Sequence, residues 1–137
     1  MGAMEEFVEQ CRVRFIGVSN FLLNLMMEAQ SYLSKTGIEA NEIEYNLKCK
    51  YDERYLLPYC HKERITVIAY TPLEEGSLAN NKVLQEVGTK YGKTAAQVAL
   101  NWLISKEGIV TNPQGGKPQA FGRKCWGYGL ENEPRGY

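Results

Sequence analysis

A parallel α/β sheet covered by helices is the fold class this sequence predicts. Three observations carry it. Apolar, β-branched runs recur along the chain, clearest in "ITVIAY" at 65–70, and such continuous runs suit strands buried on both faces. Between them lie segments with apolar residues at helical spacing, such as "FLLNLMMEAQSYLSK" at 21–35. The order is strand, helix, strand, helix, strand, helix, helix, strand, and that alternation implies right-handed βαβ units.

The elements follow in turn. "RVRFIGVS" at 12–19 reads as the first strand. The helix after it is expected to stop at Lys35-Thr36-Gly37, with a base in the last turn and glycine at the end. "IEANEIEYN" at 38–46 is a second strand with more polar content. "YDERYLLPYCHKER" at 51–64 is a helix begun or interrupted near Pro58. "ITVIAY" is the third strand, and Pro, Gly, Ser and Asn make "TPLEEGSLAN" a loop. "NKVLQEVGTKYG" is an amphipathic helix closing at Gly92. Thr94 and Gln97 have the spacing of a capping box at the head of "TAAQVALNWLISKEG". "GIVT" is a short fourth strand, and from Asn112 onward Gly and Pro are dense. Four strands are too few to close a barrel of eight, so both edges of the sheet need cover.

The 137 residues are enough for one domain, and 44% hydrophobic with 23% charged is an ordinary globular balance. Sixteen basic and 16 acidic side chains cancel, which argues against nucleic acid or a polybasic membrane anchor as partner. No apolar run reaches the roughly 18 residues of a bilayer span, and the acidic start is unlike a signal peptide. A cytoplasmic location is expected. Cys11, Cys49, Cys60 and Cys125 are scattered, and the lone His61 does not complete a metal-ligand spacing with them. The thiols read as reduced, and His61 as a solvated residue on a charged helix end.

In parallel α/β folds, ligands bind at the carboxyl ends of strands. Ser19-Asn20, Glu42 to Tyr45, Tyr70 to Leu73, and Asn112 to Gly116 fall at those ends, on one side of the sheet. Small polar groups, an aromatic plate and a Gly-rich turn suit a flat, polar, phosphate-bearing ligand. Residue type alone leaves two readings of Asn20: a ligand contact, or the cap of the next helix. Tyr70 has two as well: a stacking platform or a core aromatic.

"AMEEFVEQCRVRFIGVSNF", "NEIEYN", "ITVIAYTPLEEGSL" and "KYGKTAAQVALNWLI" together resemble the aldo-keto reductase family, in the family's order and spacing. The resemblance is strong from Ala3 to Thr111 and weak beyond. It implies a partial (β/α)8 TIM barrel, about the last four βα units, with residues 1–137 as one partial domain and 112–137 as a divergent tail. It implies NADP(H) or NAD(H) as cofactor, held across the barrel mouth. Ser19 and Asn20 match the pair that binds the nicotinamide carboxamide. Tyr70 matches the ring that stacks on the nicotinamide. Thr71, Leu73, Gly76 and Ser77 match the loop that follows the pyrophosphate.

Departures from the family pattern are informative. Glu42 replaces the Gln beside the carboxamide and cannot donate. Gln114 replaces a Lys, Ala120 falls where Arg or His is common, and Arg123-Lys124 replace Glu-Asn. The lost Lys removes a charge-assisted contact to the 2′-phosphate, for which Lys117, Arg123 and Lys124 are partial substitutes; a preference for the unphosphorylated cofactor would fit that loss, and both NADP(H) and NAD(H) stay open. The Asp, Tyr, Lys and His of the catalytic tetrad belong to strands that would precede Met1. Tyr32, Tyr45, Tyr51 and Tyr55 do not match the tetrad Tyr. Met1 itself matches a position inside the helix before the fifth strand, so a truncated member is expected.

The implied function is the C-terminal half of an NAD(P)H-dependent oxidoreductase that reduces carbonyls by hydride transfer, inactive alone. The alternatives are a non-catalytic nicotinamide-nucleotide-binding or interaction module, and an inactive remnant. The expected partners are the nucleotide and either an N-terminal half or a second copy to complete the barrel.

Overall fold

Four parallel strands lie side by side in chain order in the computed structural model of this protein, which describes residues 1–50 and 53–113. They are β1 (Ile16–Ser19), β2 (Ile38–Glu44), β3 (Thr66–Tyr70) and β4 (Ile109–Thr111). Helices α1 (Gly2–Glu9), α2 (Leu23–Ser31), α3 (Leu56–Lys62), α4 (Lys82–Lys90) and α5 (Ala95–Ile104) fill the connections. Tyr51, Asp52, Cys125, and the tail from Gln114 through Lys117, Ala120, Arg123 and Lys124 lie outside the described residues. Among the described residues, no helix is long and apolar enough to cross a membrane.

Strand alternation sorts the side chains onto two faces. One face carries the paired rows Val18–Asn41–Val67–Ile109 and Ile43–Ala69–Thr111. It is the helix side: Ile43, Val67, Ala69 and Ile109 share a buried core with Met26, Leu56 and Leu103. The other face carries Gly17–Ala40–Thr66, Ser19–Glu42–Ile68–Val110 and Glu44–Tyr70. No described helix covers it, and Val110 on it is 49% exposed. A register shift between Ile16 and Gly17 makes Glu39 the extra residue of β2.

Local chemistry explains where elements differ from expectation. The segment at 21–35 yields a helix that ends early, at Ser31. Glu5 of α1 meets the chain just past that end. Its carboxylate accepts from the backbone N–H groups of Ser34, Lys35 and Thr36 at 2.7, 2.6 and 3.2 Å, turning the chain off the helical path. Those bonds, that of Lys35 first, hold the Glu5 carboxyl below its ordinary range. Lys35 pairs with Glu9 of the same helix. The periodicity of 1–11 alone was silent about α1, which only the family resemblance implied.

Pro58 sits in the first turn of α3, where its missing N–H has no intrahelical partner to lose. Asn81 caps α4 by accepting from Leu84 N–H. Thr94 and Gln97 form the expected capping box on α5, each side chain bonded to the other's backbone N–H. Asn112 lies just past β4 and is exposed, so its amide needs no buried partner.

Candidate functional site

Three strand ends meet at the mouth of the sheet. Ser19 closes β1, Glu42 pairs with it across β2, and Tyr70 closes β3 opposite Glu44. Asn20 turns the chain in the left-handed region, at φ 58°, a conformation Asn tolerates better than most residues. Its backbone N–H donates to Glu42 O at 2.8 Å, extending the ladder by one bond. Ser19 Oγ donates to the same carbonyl at 3.2 Å. Tyr70 OH donates to Asn20 Oδ1 at 2.9 Å, across 50 residues of chain.

This arrangement decides one of the open readings. Asn20 does not cap α2; the cap position is Leu22, which makes no side-chain capping bond. The Asn20 side chain is spent on Tyr70 instead. Its Nδ2 amide protons remain as donors, and Ser19 Oγ, its proton committed, presents lone pairs. A carboxamide, with one carbonyl and one NH2, complements that pair. The half-buried Tyr70 ring is fixed in orientation by its hydroxyl bond, as a stacking platform requires.

Two asparagines missed at the sequence level hold these parts in place. Asn41 is fully buried on the helix side; its Nδ2 donates to Phe21 O at 2.8 Å and its Oδ1 accepts from Phe21 N–H at 3.4 Å. That clamp fixes the chain just past Asn20. Asn46, also fully buried, donates to Thr71 O at 3.1 Å and to Glu74 Oε2 at 2.9 Å. Its Oδ1 accepts from the N–H groups of Lys48 and Cys49, both at 2.9 Å. An Asn at a strand end, poised for such an Asx turn, was the available signal.

The loop after β3 is backbone-strained. Thr71, Glu74 and Glu75 have φ of 47°, 48° and 50°, and Gly76 has 95°. A β-branched residue at positive φ is an outlier that surrounding bonds must enforce. A 3-10 turn spans Glu74–Gly76. The N–H groups of Glu74, Gly76 and Ser77 donate to Thr71, Leu73 and Glu74 carbonyls, all within 2.8–2.9 Å. The Gly76 and Ser77 N–H groups, in the loop that the resemblance sets beside the pyrophosphate, are therefore engaged within it. Ser77 Oγ accepts from Lys48 Nζ at 2.7 Å, so a cation stands beside the loop. Thr71 Oγ1 is buried with no partner among the described residues, an atom that a ligand could satisfy. The residues fit a nicotinamide nucleotide at its carboxamide end, and only in part along the loop.

The structure thus brings Ser19, Asn20, Glu42 and Tyr70 into one bonded cluster. Thr71 joins it by adjacency and through Asn46, while Leu73, Gly76 and Ser77 lie in the flanking loop. A cleft of about 660 Å³ lies elsewhere, lined in part by Leu57, His61, Ile65 and Gly108 at the amino ends of β3 and β4. Its position, at the opposite end of the strands, excludes the cluster from it.

The model of the Aldo/keto reductase family matches residues 1–119. The chain belongs to that family. It is 34% identical over 119 residues to methylglyoxal reductase YeaE of Escherichia coli, covering 83% of this chain and 42% of that protein. It is 33% identical over 114 residues to glyoxal reductase of Bacillus subtilis, covering 82% and 39%. The thermostable aldo-keto reductase Tm1743, solved with the inhibitor epalrestat, superposes with a TM-score of 0.84 at 34% identity, covering 92% of this chain and 47% of that one. An aldo-keto reductase from Klebsiella pneumoniae, solved in complex with NADPH, gives 0.83 at 26% identity, covering 92% and 46%. The chain thus spans less than half the length of these relatives, and its sheet is a partial aldo-keto reductase barrel.

Proposed function

We propose that this chain supplies the nicotinamide-binding half of an NAD(P)H-dependent carbonyl reductase. The contact between Asn20 and Tyr70, 2.9 Å across the mouth from β1 to β3, carries the reading. A bound nicotinamide nucleotide supplies the hydride. The chain's own residues orient it. Asn20 Nδ2 donates to the carboxamide oxygen, Ser19 Oγ accepts from its amide, and the Tyr70 ring backs one face. Glu42 stands where a donor would help and supplies none. Residues 1–137 act as one partial domain, with 112–137 as a divergent tail.

The acid that protonates a carbonyl oxygen must come from outside the described strands. The Tyr70 hydroxyl at the mouth is engaged with Asn20, and the resemblance assigns the proton donor to other strands, so no turnover is expected from this chain alone. Relatives named for methylglyoxal and glyoxal reduction support small reactive aldehydes as substrates of the completed fold.

Saturation-transfer NMR with NADH tests the orientation. Enhancement is expected on the nicotinamide ring protons and little on adenine, since the mouth cluster contacts the former. Transfer confined to adenine, or none at all, would refute the proposed site.

A further inference from the structure

The cleft of about 660 Å³ on the helix side, at the amino ends of β3 and β4, has a chemistry of its own. Leu57 of α3, Ile65, Val67 and Ile109 line it, and the last three are buried. Its floor is therefore apolar and lies at the level of the core. A second hollow of about 380 Å³ shares Cys60, His61, Ile65 and Gly108 with it and adds Arg64. Hollows of roughly 300–1,000 Å³ with an apolar lining and a few polar groups are the usual size and make-up of small-molecule sites.

The polar groups are sorted between the two ends. At one end Glu53 Oε1 accepts from Tyr45 and from Lys106 at 3.0 Å, so that carboxylate and that ammonium answer each other. Arg54 there lies over the Tyr55 ring, 5.3 Å from its centroid. At the other end His61 and Arg64 are exposed, and neither side chain makes an ion pair or hydrogen bond among the described residues. Arg64 stands at φ 59°, just past α3, where glycine is the less costly residue. The end of α3 would itself repel an anion, but its last carbonyls are engaged. Those of Tyr59, Cys60 and His61 accept from the N–H groups of Glu63, Ile65 and Arg64 at 2.9, 2.8 and 3.2 Å. Glu107 lines both hollows and is the opposing charge at this end; it is exposed, where water screens it.

We infer that this cleft binds a medium-chain carboxylate. Its apolar body lies on Leu57, Ile65, Val67 and Ile109, and its carboxylate meets His61 and Arg64. The inference is independent of nucleotide binding at the mouth, and its test contains no nucleotide and reads no activity.

Amide NMR spectra of the full chain are recorded while octanoate is titrated in. Saturable shifts are expected at Leu57, Cys60, Ile65 and Gly108, with Ser19, Asn20 and Tyr70 unmoved. The double variant H61Q/R64Q changes two exposed side chains, and its spectrum reports whether it folds. It is expected to bind octanoate at least about fivefold more weakly, as for a lost charge-assisted bond. Octanamide, with the same chain and no charge, is expected to bind the wild type and the variant alike. Butyrate, which keeps the charge and loses most of the chain, is expected to bind wild type at least about tenfold more weakly than octanoate. Absence of saturable shifts at the cleft, shifts confined to the mouth, equal octanoate affinity in the folded variant, or butyrate binding as tightly as octanoate would each overturn the inference.

Discussion

Asn20 and Glu42 show how single atoms set what the mouth can hold. The Asn20 side chain bonds Tyr70 rather than α2, so its acceptor is used and its donors are free. Glu42 offers two acceptors beside them, where a carboxamide oxygen would want a donor. Glu42→Gln is therefore expected to tighten NADH binding about fivefold, the worth of one hydrogen bond of ~1 kcal/mol. A fluorescence titration of both proteins measures it, and weaker binding by the variant would contradict the assigned role. Tyr70→Phe keeps the ring and loses the hydroxyl; it is expected to weaken binding only by a similar fivefold factor, as for one lost bond. The placement of Ser19, Asn20 and Tyr70 at strand ends was legible in "VSN" and "AY", because both runs close apolar strands. Asn41 was not, and of Asn46 only the local Asx turn could be read. Their bonds to Phe21 and Thr71 span 20 and 25 residues, and nothing local announces such partners.

Helix-level chemistry was read well where the signal was local and poorly where it was not. The Thr94–Gln97 box is contained in four residues, and the structure has it. Thr94→Ala is expected to cost about 1 kcal/mol in urea unfolding. The turn after α2 could not be read, because its backbone bonds go to Glu5 on a different helix. The seam between α4 and α5 depends on Gly88, where an added Cβ would lie 2.3 Å from Lys93 O. Backbone must shift to admit it, so Gly88→Ala is expected to destabilise by about 1–3 kcal/mol despite its better helix propensity. A third element-scale contact responds to pH. Tyr45 OH donates to Glu53 Oε1 at 2.5 Å, and Lys106 Nζ donates to the same oxygen at 3.0 Å. The Tyr45 bond first, then Lys106, lowers the Glu53 pKa. Burial first, then Glu53, raises that of Tyr45, which stays a donor through neutral pH. A lowered folded value means the Glu53 contribution is present above the ordinary carboxylate range and lost as pH falls through the folded value. Glu53→Gln is expected to flatten the acid limb of a stability–pH profile; an unchanged limb would dismiss the contact.

At the scale of the whole molecule, the order of the strands matters more than their number. β1 to β4 lie in sequence order with helices on one side, so the carboxyl ends of all four share one rim. That much followed from alternation alone, since right-handed crossovers leave little choice of topology. The incompleteness of the barrel was legible too, because four strands do not close one. What the strand pattern did not show was the face left over: burial of Ile43 and Tyr45 in the core turns Glu42 and Glu44 to the opposite side of the sheet. The chain thus combines a bonded cluster at the strand ends with a sheet face that no described helix covers. On the proposed function, the half-mouth holds nicotinamide by itself. Titrating the full chain with NADH and with NADPH, following quenching of protein fluorescence, tests it most directly. Saturable quenching is expected, stronger for NADH and at least about tenfold weaker for Tyr70→Ala, as befits a lost stacking platform. No saturable quenching by either nucleotide, or equal quenching of the Tyr70→Ala protein, would contradict it.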